Sequence, residues 1–375
     1  MAPGRRAFRV LCYVLYGIGL AAAGLYAAFR LSPSFALSFN TGVGAVSRAV
    51  FTAVSDVFPM SLAELSVLAI PVLVVLLFIW TARRIRKYGF RGVIRPVASV
   101  LALICALGGA FALNGAAGYF QPRCTELMEL DTSELTKDDL VFALQCIVGE
   151  INAADASGYV LTDGSGATKN EDSIYATSSY IAQLYEELSE QYPFVQKMRA
   201  RPKILAASPL VTYLHISGVY CDYTGEININ TNYPDYVVVM TIAHEEAHQR
   251  GVAREDEASL LGFVALATSR IPYYNYCACL DAYSTLGAAL YKQDADAFRE
   301  IRSNLCDTAK RDLDSYSAFF EKYRENAAEK VHSAAYDAYL KSQGTSGITS
   351  YDEVTELIVR YYKTLKNAQS PSGND

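Results

Sequence analysis

The sequence predicts a mainly α-helical protein with a small β-sheet, in which N-terminal transmembrane helices precede an aqueous α+β domain. Three observations lead to this fold class. Apolar runs long enough to cross a bilayer are confined to residues 1–120, helical patterns dominate residues 121–375, and a strand-like stretch interrupts those patterns at about residues 203–231. We therefore predict two domains, a membrane anchor at residues 1–120 and an aqueous domain at residues 121–375.

The anchor is predicted from three apolar runs, because a bilayer requires about 20 residues at 1.5 Å rise for roughly 30 Å of hydrocarbon. The runs contain no Lys or Arg and lie at about residues 10–29, 62–80 and 97–120. Pro71 lies within the second run, where a membrane helix tolerates proline. The first run also fits a cleaved signal peptide, which would leave the other two runs as the anchor.

Charge is divided unequally along the chain. Residues 1–96 carry eleven Lys or Arg and only two acids, whereas the remainder is strongly acidic. Six of these cations lie in the short segment 82–96, and Lys and Arg concentrate in cytoplasmic loops. The pattern predicts a multi-pass cell-membrane protein with a cytoplasmic N-terminus and an extracytoplasmic C-terminal domain. The acidic part lacks the basic stripe that nucleic acid binding requires.

Cysteine usage leaves two readings open. The predicted external domain contains six cysteines, an even number in a compartment that permits disulfides. Disulfide bridges and buried free thiols both fit this number. The six residues are Cys124, Cys146, Cys221, Cys277, Cys279 and Cys306.

The segment His244-Glu-Glu-Ala-His248 contains the motif H-E-x-x-H after the apolar residues 237–243. With 3.6 residues per turn, His244 and His248 lie one turn apart on one helix face, where both imidazoles reach one ion. Glu245 is rotated by roughly 100°, outside the ligand set but within reach of a metal-activated water. The spacing predicts a Zn²⁺ site with Glu245 as general base. A surface helix with incidental histidines fits poorly, because the preceding apolar residues would bury it.

A catalytic zinc site needs a third protein ligand. Gly251 predicts the end of the motif helix, because glycine adopts the left-handed conformation at low cost. The chain then returns at once to three carboxylates. Acidic residues are also favoured in the first turn of a helix, so not all three are expected to be ligands. The carboxylates are Glu255, Asp256 and Glu257.

The motif followed by a helix with the pattern E-x-x-A-(D/N) resembles the gluzincin metallopeptidases, in which the first Glu of the second pattern binds zinc. This resemblance implies Glu255 as the third ligand, with Glu257 as the less favoured alternative. Ala258 matches the small packing residue of that pattern. Ser259 stands where Asp or Asn is usual, which weakens the expectation that this position supports a ligand.

A wider set of residues resembles an uncharacterised bacterial membrane family, the domain of unknown function 3810. The resemblance also includes the three predicted membrane helices, so it covers nearly the whole chain. It implies the same architecture and a presumed zinc peptidase domain of the zincin type. The matching stretches are residues 223–230, 243–251, 254–258 and 347–351.

Substrate contacts are predicted from the strand-like residues before the motif, because zincins commonly hold a peptide by backbone pairing with such a strand. Glu226, Asn228 and Asn230 are therefore candidate substrate-binding residues, and the alternative is an ordinary strand with polar side chains in water. An oxyanion partner is also needed. The tyrosines that follow the second pattern are candidates, with no basis for a choice: Tyr274, Tyr276 and Tyr283.

Taken together, these features predict a membrane-anchored zinc peptidase that hydrolyses peptide bonds of extracytoplasmic proteins or peptides. The predicted partners are the lipid bilayer and a peptide or protein substrate, without nucleic acid. Two alternatives fit parts of the pattern: a zinc-binding membrane sensor or scaffold with little or no activity, and a hydrolase of amides in cell-wall peptide. Glu245 argues against a purely structural site, because such a site needs no base.

Overall fold

The computed structural model describes residues 3–199, 201–324, 326–347 and 350–369, and within them the chain is mainly helical with one three-stranded sheet. The predominance of helix and the small sheet confirm that part of the predicted fold class. Part of the helix start at 347–351, which belongs to the family resemblance, lies outside the described residues. The chain divides into two compact units, Met1–Gln121 with Cys221–Glu226, and Pro122–Tyr220 with Ile227–Asp375.

The first unit is helical throughout its described N-terminal part. Two stretches, Arg6–Leu31 and Leu62–Asn114, are long and apolar enough to cross a membrane. The second stretch consists of two helices joined by a 3₁₀ turn, which correspond to the second and third predicted runs. The elements are α1 (Pro3–Leu31), α2 (Pro33–Phe39), a π-helical turn (Asn40–Gly44), α3 (Ala45–Ser55), α4 (Leu62–Tyr88), the 3₁₀ turn (Gly89–Val93), α5 (Ile94–Asn114) and α6 (Ala116–Phe120).

The segment between α1 and α4 is helical, which the sequence did not predict. Arg48 on α3 is fully buried, and its guanidinium donates to the Asn40 side-chain oxygen at 2.8 Å, the Asn40 carbonyl at 2.9 Å and the Asn114 carbonyl at 3.0 Å. A buried cation requires such acceptors. This network links α3 to the end of α5, and local sequence periodicity contains no sign of it.

The turn between the second and third strands of the sheet also belongs to the first unit. Thr52 donates its hydroxyl to the Gly225 carbonyl at 2.8 Å, and a side chain at position 225 would come within 2.6 Å of the Thr52 nitrogen. The Glu226 carboxylate accepts hydrogen bonds from the amides of Leu62 and Ala63 at 3.0 and 2.8 Å. It therefore satisfies unpaired amides in the first turn of α4.

The second unit is built mainly from helices, with α11, α12 and α13 at its buried centre. Residues 295–321 form two helices and not one, because the chain is interrupted after Ser303, where Asn152 donates to the Asn304 carbonyl and accepts from the Cys306 amide. The helices are α7 (Cys124–Leu127), α8 (Lys137–Ala156), α9 (Ile174–Gln191), α10 (Ser208–Thr212), α11 (Asp235–Gln249), α12 (Glu255–Ala267), α13 (Pro272–Gln293), α14 (Ala295–Ser303), α15 (Asp307–Glu321), α16 (Ala327–Ser342) and α17 (Ser350–Gln369).

The sheet contains β1 (Lys203–Ile204), β2 (Gly218–Cys221) and β3 (Glu226–Ile229), in the order β1-β3-β2. Strands β1 and β3 are parallel. The strand-like residues 211–216 instead lie in α10 and the turn after it, where His215 has a positive φ of 58°. The predicted sheet is therefore present but smaller than the strand-like stretch.

All eight cysteines are free thiols. Cys124, Cys277 and Cys279 are buried, and the Cys279 thiol donates to the Glu150 carboxylate at 3.3 Å. Of the two readings of the six cysteines after residue 120, the structure therefore has the free thiols.

Candidate metal centre

The two motif helices are joined by a tight reversal at Gly251. Helix α11 ends at Gln249, Gly251 has a left-handed φ of 90°, and α12 begins at Glu255. The Val252 amide returns to the Ala247 carbonyl at 3.2 Å. This is the αL helix ending that glycine favours. It confirms the predicted turn and brings the first turn of α12 beside the last turn of α11.

Three ligand-type atoms converge at this junction. His244 Nε2 lies 3.1 Å from Glu255 Oε2, His248 Nε2 lies 3.0 Å from His244 Nε2, and His248 Nε2 lies 3.5 Å from Glu255 Oε2. A tetrahedral zinc site with ligands at about 2.0–2.1 Å places neighbouring ligand atoms about 3.3 Å apart. The donor set and the spacing of the three atoms therefore fit Zn²⁺.

Both histidines have partners on their outer ring nitrogens. His248 Nδ1 lies 2.7 Å from the Val252 carbonyl, and because a carbonyl only accepts, the Nδ1 proton points outward and Nε2 faces the centre. His244 Nδ1 lies 3.1 Å from the Ser259 hydroxyl. Such outer partners fix the orientation of metal-binding imidazoles. The expectation that Ser259 contributes little here was wrong, because a hydroxyl also reaches the ring.

The second oxygen of the Glu255 carboxylate accepts a very short hydrogen bond from the Tyr336 hydroxyl. Tyr336 lies on α16, and its ring stacks on that of His332 at a centroid distance of 5.9 Å. A separation of 81 residues divides Tyr336 from Glu255 in the chain, so no local pattern could have identified this contact.

Two of the three tyrosines predicted as oxyanion partners donate their hydroxyls to carboxylates outside the cluster. Tyr274 donates to the Asp172 carboxylate at 2.7 Å, and Tyr276 donates to the Asp312 carboxylate at 2.8 Å. Tyr283 is buried, and burial raises the pKa of its phenol. Among the described tyrosines, it is Tyr336 that contacts a member of the His244–His248–Glu255 cluster by a hydrogen bond.

Glu245 is buried beside the cluster, and its carboxylate is held from the side of β2. The Tyr220 backbone amide donates to it, and a side chain at position 218, which is glycine, would come within 2.8 Å of its Oε1. Burial raises the pKa of Glu245, while His244 and His248 oppose that rise. A carboxylate whose pKa is raised toward neutrality is suited to proton transfer.

The neighbouring carboxylates of α12 face Arg123. Arg123 Nε lies 2.8 Å from Glu257 Oε1, and the Cys124 amide donates to the same oxygen at 3.1 Å. Asp256 forms a very short ion pair with Arg123. Burial raises the pKa of Glu257 to about 7, although Arg123 opposes this. Of the two candidate ligands, the structure thus brings Glu255, rather than Glu257, to the histidines.

The opposite side of α11 carries a buried ion pair that the sequence did not reveal. Arg250 is fully buried, and its guanidinium lies 3.0 Å from the Glu246 carboxylate and 4.3 Å from the ring centroid of Tyr185. It also donates to the Met198 carbonyl at 2.7 Å, while Ser178 donates to Glu246 at 2.7 Å. The i,i+4 spacing of Glu246 and Arg250 was the available signal.

The candidate substrate-binding residues Glu226, Asn228 and Asn230 are buried and have internal partners. Glu226 accepts from two amides of α4, Asn228 donates to the Val219 carbonyl at 3.1 Å, and Asn230 donates to the Ile216 carbonyl at 2.8 Å. Strand β3 is the central strand, so both of its edges are already paired. Its position therefore gives no support to peptide pairing along this strand.

No curated protein and no solved structure matches this chain. A family model, described as "Protein of unknown function (DUF3810)", matches residues 39–359. This range covers most of both compact units and includes the whole of the candidate metal centre. The chain belongs to the DUF3810 family, whose function is unknown.

Proposed function

We propose that this protein is a membrane-anchored zinc peptidase with its metal bound by His244, His248 and Glu255. The observation that carries the proposal is the convergence of two imidazole nitrogens and one carboxylate oxygen, with separations of 3.0–3.5 Å. Three protein ligands leave one tetrahedral position for water and substrate, which is the arrangement of catalytic rather than structural zinc. When bound, Zn²⁺ would polarise the scissile carbonyl and lower the pKa of the attacking water.

Glu245 is the proposed general base. It follows a ligand directly in sequence but lies outside the ligand set, and its buried carboxylate has a raised pKa. It would accept the proton of the attacking water and pass it to the leaving amine, as general acid–base catalysis requires. The hydrogen bond from the Tyr220 amide and the close contact with the backbone at Gly218 hold the Glu245 carboxylate in place for these two proton transfers.

Tyr336 is the proposed partner of the oxyanion that develops on the scissile carbonyl. Its hydroxyl already lies beside the candidate metal centre, on the Glu255 carboxylate. A preorganised donor at that point stabilises negative charge as it forms. Replacement of Tyr336 by Phe would therefore lower kcat more than it raises KM.

The membrane part of the proposal rests on the two apolar stretches Arg6–Leu31 and Leu62–Asn114. With the break at Gly89–Val93, they would supply three helices to cross the bilayer. The cations of the 82–96 segment would then face the cytoplasm by the positive-inside rule, and the metal centre would act on extracytoplasmic peptides or proteins. A reporter enzyme fused after Phe120 tests this topology, and cytoplasmic reporter activity would contradict it.

The decisive experiment measures bound zinc and peptidase activity in the purified full chain. Glu245→Gln should retain zinc and lose about 10²–10⁴-fold in kcat, because it removes the base and not a ligand. Glu255→Gln should lose zinc, whereas the matched variant Glu257→Gln should retain it. Activity is read by mass spectrometry on a mixed peptide library. Full activity in Glu245→Gln would refute the mechanism, and unchanged zinc affinity in Glu255→Gln would refute the ligand set.

A further inference from the structure

The turn between α4 and α5 concentrates positive charge without any counter-charge. Residues 83–95, here called the basic turn, contain six Lys or Arg and no acid. Within the described part of the chain, none of the six forms an ion pair with a carboxylate. The side chains are Arg83, Arg84, Arg86, Lys87, Arg91 and Arg95, of which Arg83, Arg86, Lys87 and Arg91 are exposed.

The backbone of the basic turn is geometrically constrained. Gly89 has a positive φ of 62°, and a side chain at position 92 would lie 2.3 Å from the Arg84 carbonyl oxygen, so glycine is needed there. Arg84 Nε donates to the Gly92 carbonyl at 3.0 Å, and its guanidinium lies 4.9 Å from the Tyr88 ring centroid. The exposed cations are thus presented from the last turns of α4 and from the constrained 3₁₀ turn that follows it.

A second basic segment lies at the same end of the first unit. The Arg95 guanidinium lies 5.4 Å from the ring centroid of Phe8, which places the start of α1 beside the basic turn. Arg6 and Arg9 flank Phe8 in sequence. Positive charge from two separate parts of the chain therefore meets at one end of the apolar helices.

Exposed aromatic side chains accompany this charge. Phe90, at the tip of the turn, is 88% exposed, and Trp80, one turn before Arg83 on α4, is 38% exposed. Aromatic residues next to basic ones are typical of the membrane–water interface. The side chains of α4 that precede the turn are apolar and exposed, which is the kind of surface that a bilayer-spanning helix presents to hydrocarbon.

We propose that the basic turn is a binding site for the phosphate headgroups of anionic phospholipids. The exposed cations supply charge complementarity, the constrained turn fixes their spacing, and Phe90 is placed to enter the interface. Each Lys or Arg near an anionic membrane surface contributes about fivefold in affinity. The site is independent of the zinc chemistry and rests on the membrane anchoring proposed above.

Trp80 provides a reporter for this site, because it is the single tryptophan of the chain. The full-length protein is reconstituted in vesicles of brominated phosphatidylglycerol mixed with phosphatidylcholine, and separately with the bromine on the phosphatidylcholine. The quenching of Trp80 fluorescence gives the relative affinity of the two lipids. We expect a preference of about fivefold or more for phosphatidylglycerol at low salt, which falls as ionic strength rises.

The test variant is Arg83→Gln with Arg86→Gln and Arg91→Gln, which removes three exposed cations and leaves Arg84 to hold the turn. Its preference should fall below about twofold. The matched control replaces three exposed cations of the second unit by Gln and should keep the preference of the wild type. The control residues are Lys169, Arg270 and Lys292.

Three outcomes would overturn the proposal. Equal quenching by both lipids in the wild type would show that the turn does not select anionic lipid. Loss of the preference in millimolar inorganic phosphate, at constant ionic strength, would show that free phosphate is the ligand. No quenching by either lipid would show that Trp80 is not in a bilayer, which refutes the anchor itself and is therefore distinguishable from failure of the lipid site alone.

Discussion

Buried polar side chains lie on two sides of helix α11, and the two sets find their electrostatic partners in different ways. On one side, Glu246 and Arg250 neutralise each other, and further carbonyl, hydroxyl and aromatic groups complete their contacts. On the other, His244 and His248 direct ring nitrogens at each other and at the Glu255 carboxylate. Burial lowers the pKa of His248, but the Glu255 carboxylate outweighs burial and raises that pKa to about 9, so without a metal the inward Nε2 of His248 carries a proton. A metal ion would take the place of that proton.

We therefore interpret the ion-pair side of α11 as stabilising the fold, and we propose that the histidine side binds a metal ion. A buried ion pair stabilises a protein little by itself, but removal of one partner leaves an uncompensated charge. A set of converging ligand atoms gains its stability from the metal, through mass action. Substitutions on the two sides should therefore produce opposite patterns of stability and metal binding.

The largest effect is expected from Arg250→Met. It leaves the Glu246 carboxylate buried without its cation, so the free energy of unfolding should fall by about 3–5 kcal/mol. Zinc content per folded molecule should be unchanged. The double variant Glu246→Met, Arg250→Met should recover much of the loss, because no buried charge remains. Thermal unfolding in detergent measures the stability, and metal analysis measures the zinc content. Zinc loss in proportion to the destabilisation would contradict the proposed difference between the two sides of α11.

The next effect concerns removal of the metal. At a free zinc concentration about 100 times the dissociation constant, zinc should stabilise the wild type by about 2.7 kcal/mol relative to the chelated protein. His248→Ala should abolish that difference while leaving the chelated protein folded. Unfolding curves with zinc and with a chelator provide the measurement. An equal zinc effect in His248→Ala would mean that the stabilising ion binds elsewhere.

A smaller effect is expected at Ser259, whose hydroxyl orients the His244 ring. Loss of an outer partner of a metal-binding histidine typically weakens metal affinity by about 10–100-fold. Ser259→Ala should therefore bind zinc at least about tenfold more weakly, with the same stoichiometry, in a competition titration. Ser259→Asn, which retains a hydrogen-bonding group, is the matched control. Equal weakening in both variants would point to packing rather than to the hydrogen bond.

The sequence was sufficient for the parts of this site that depend on local periodicity. The spacing of His244 and His248 and the glycine at 251 lie within eight residues, and helix geometry alone relates them. Tyr336 was out of reach, because helix packing brings it to Glu255 from 81 residues away. The setting of the strand with Glu226 was out of reach for a related reason, since only the strand order reveals that both of its edges are paired.

The helices of the first unit show the same difference between features predicted from local sequence and features that depend on distant residues. Apolar length predicted α4 and α5 because a helix needs no tertiary partner to be recognised from such a run. The helical segment before α4 was missed, because Arg48 and Asn40 read as polar loop residues until the structure supplies their buried acceptors and donors. Sequence patterns therefore identified the helices that local periodicity defines. They missed the helices whose buried polar side chains find hydrogen-bond partners far away in the sequence.

The smallest predicted effect tests whether an acidic group beyond the proposed ligands also favours cation binding on the histidine side of α11. Asp281 on α13 is half-buried, and burial raises its pKa to about 6, opposed by His244. The folded state therefore binds a proton more tightly than the unfolded state, so the contribution of Asp281 to stability is greatest below its unfolded pKa and is lost as pH rises through 6. Asp281→Asn does not titrate, and in the chelated protein it should be more stable than the wild type by about 1 kcal/mol at pH 8, after allowance for solvent screening.

The same variant should differ little from the wild type near pH 3, below the unfolded pKa of Asp281, where the carboxyl is mostly neutral in both states. Zinc beside His244 favours the ionised carboxylate, so the advantage of Asp281→Asn at pH 8 should shrink when zinc is added. Thermal unfolding at the two pH values, with and without zinc, measures all four differences. If the advantage were the same at both pH values, Asp281 would not titrate in this window. If zinc left it unchanged, no cation would bind near this residue, and the two sides of α11 would not differ in the way proposed.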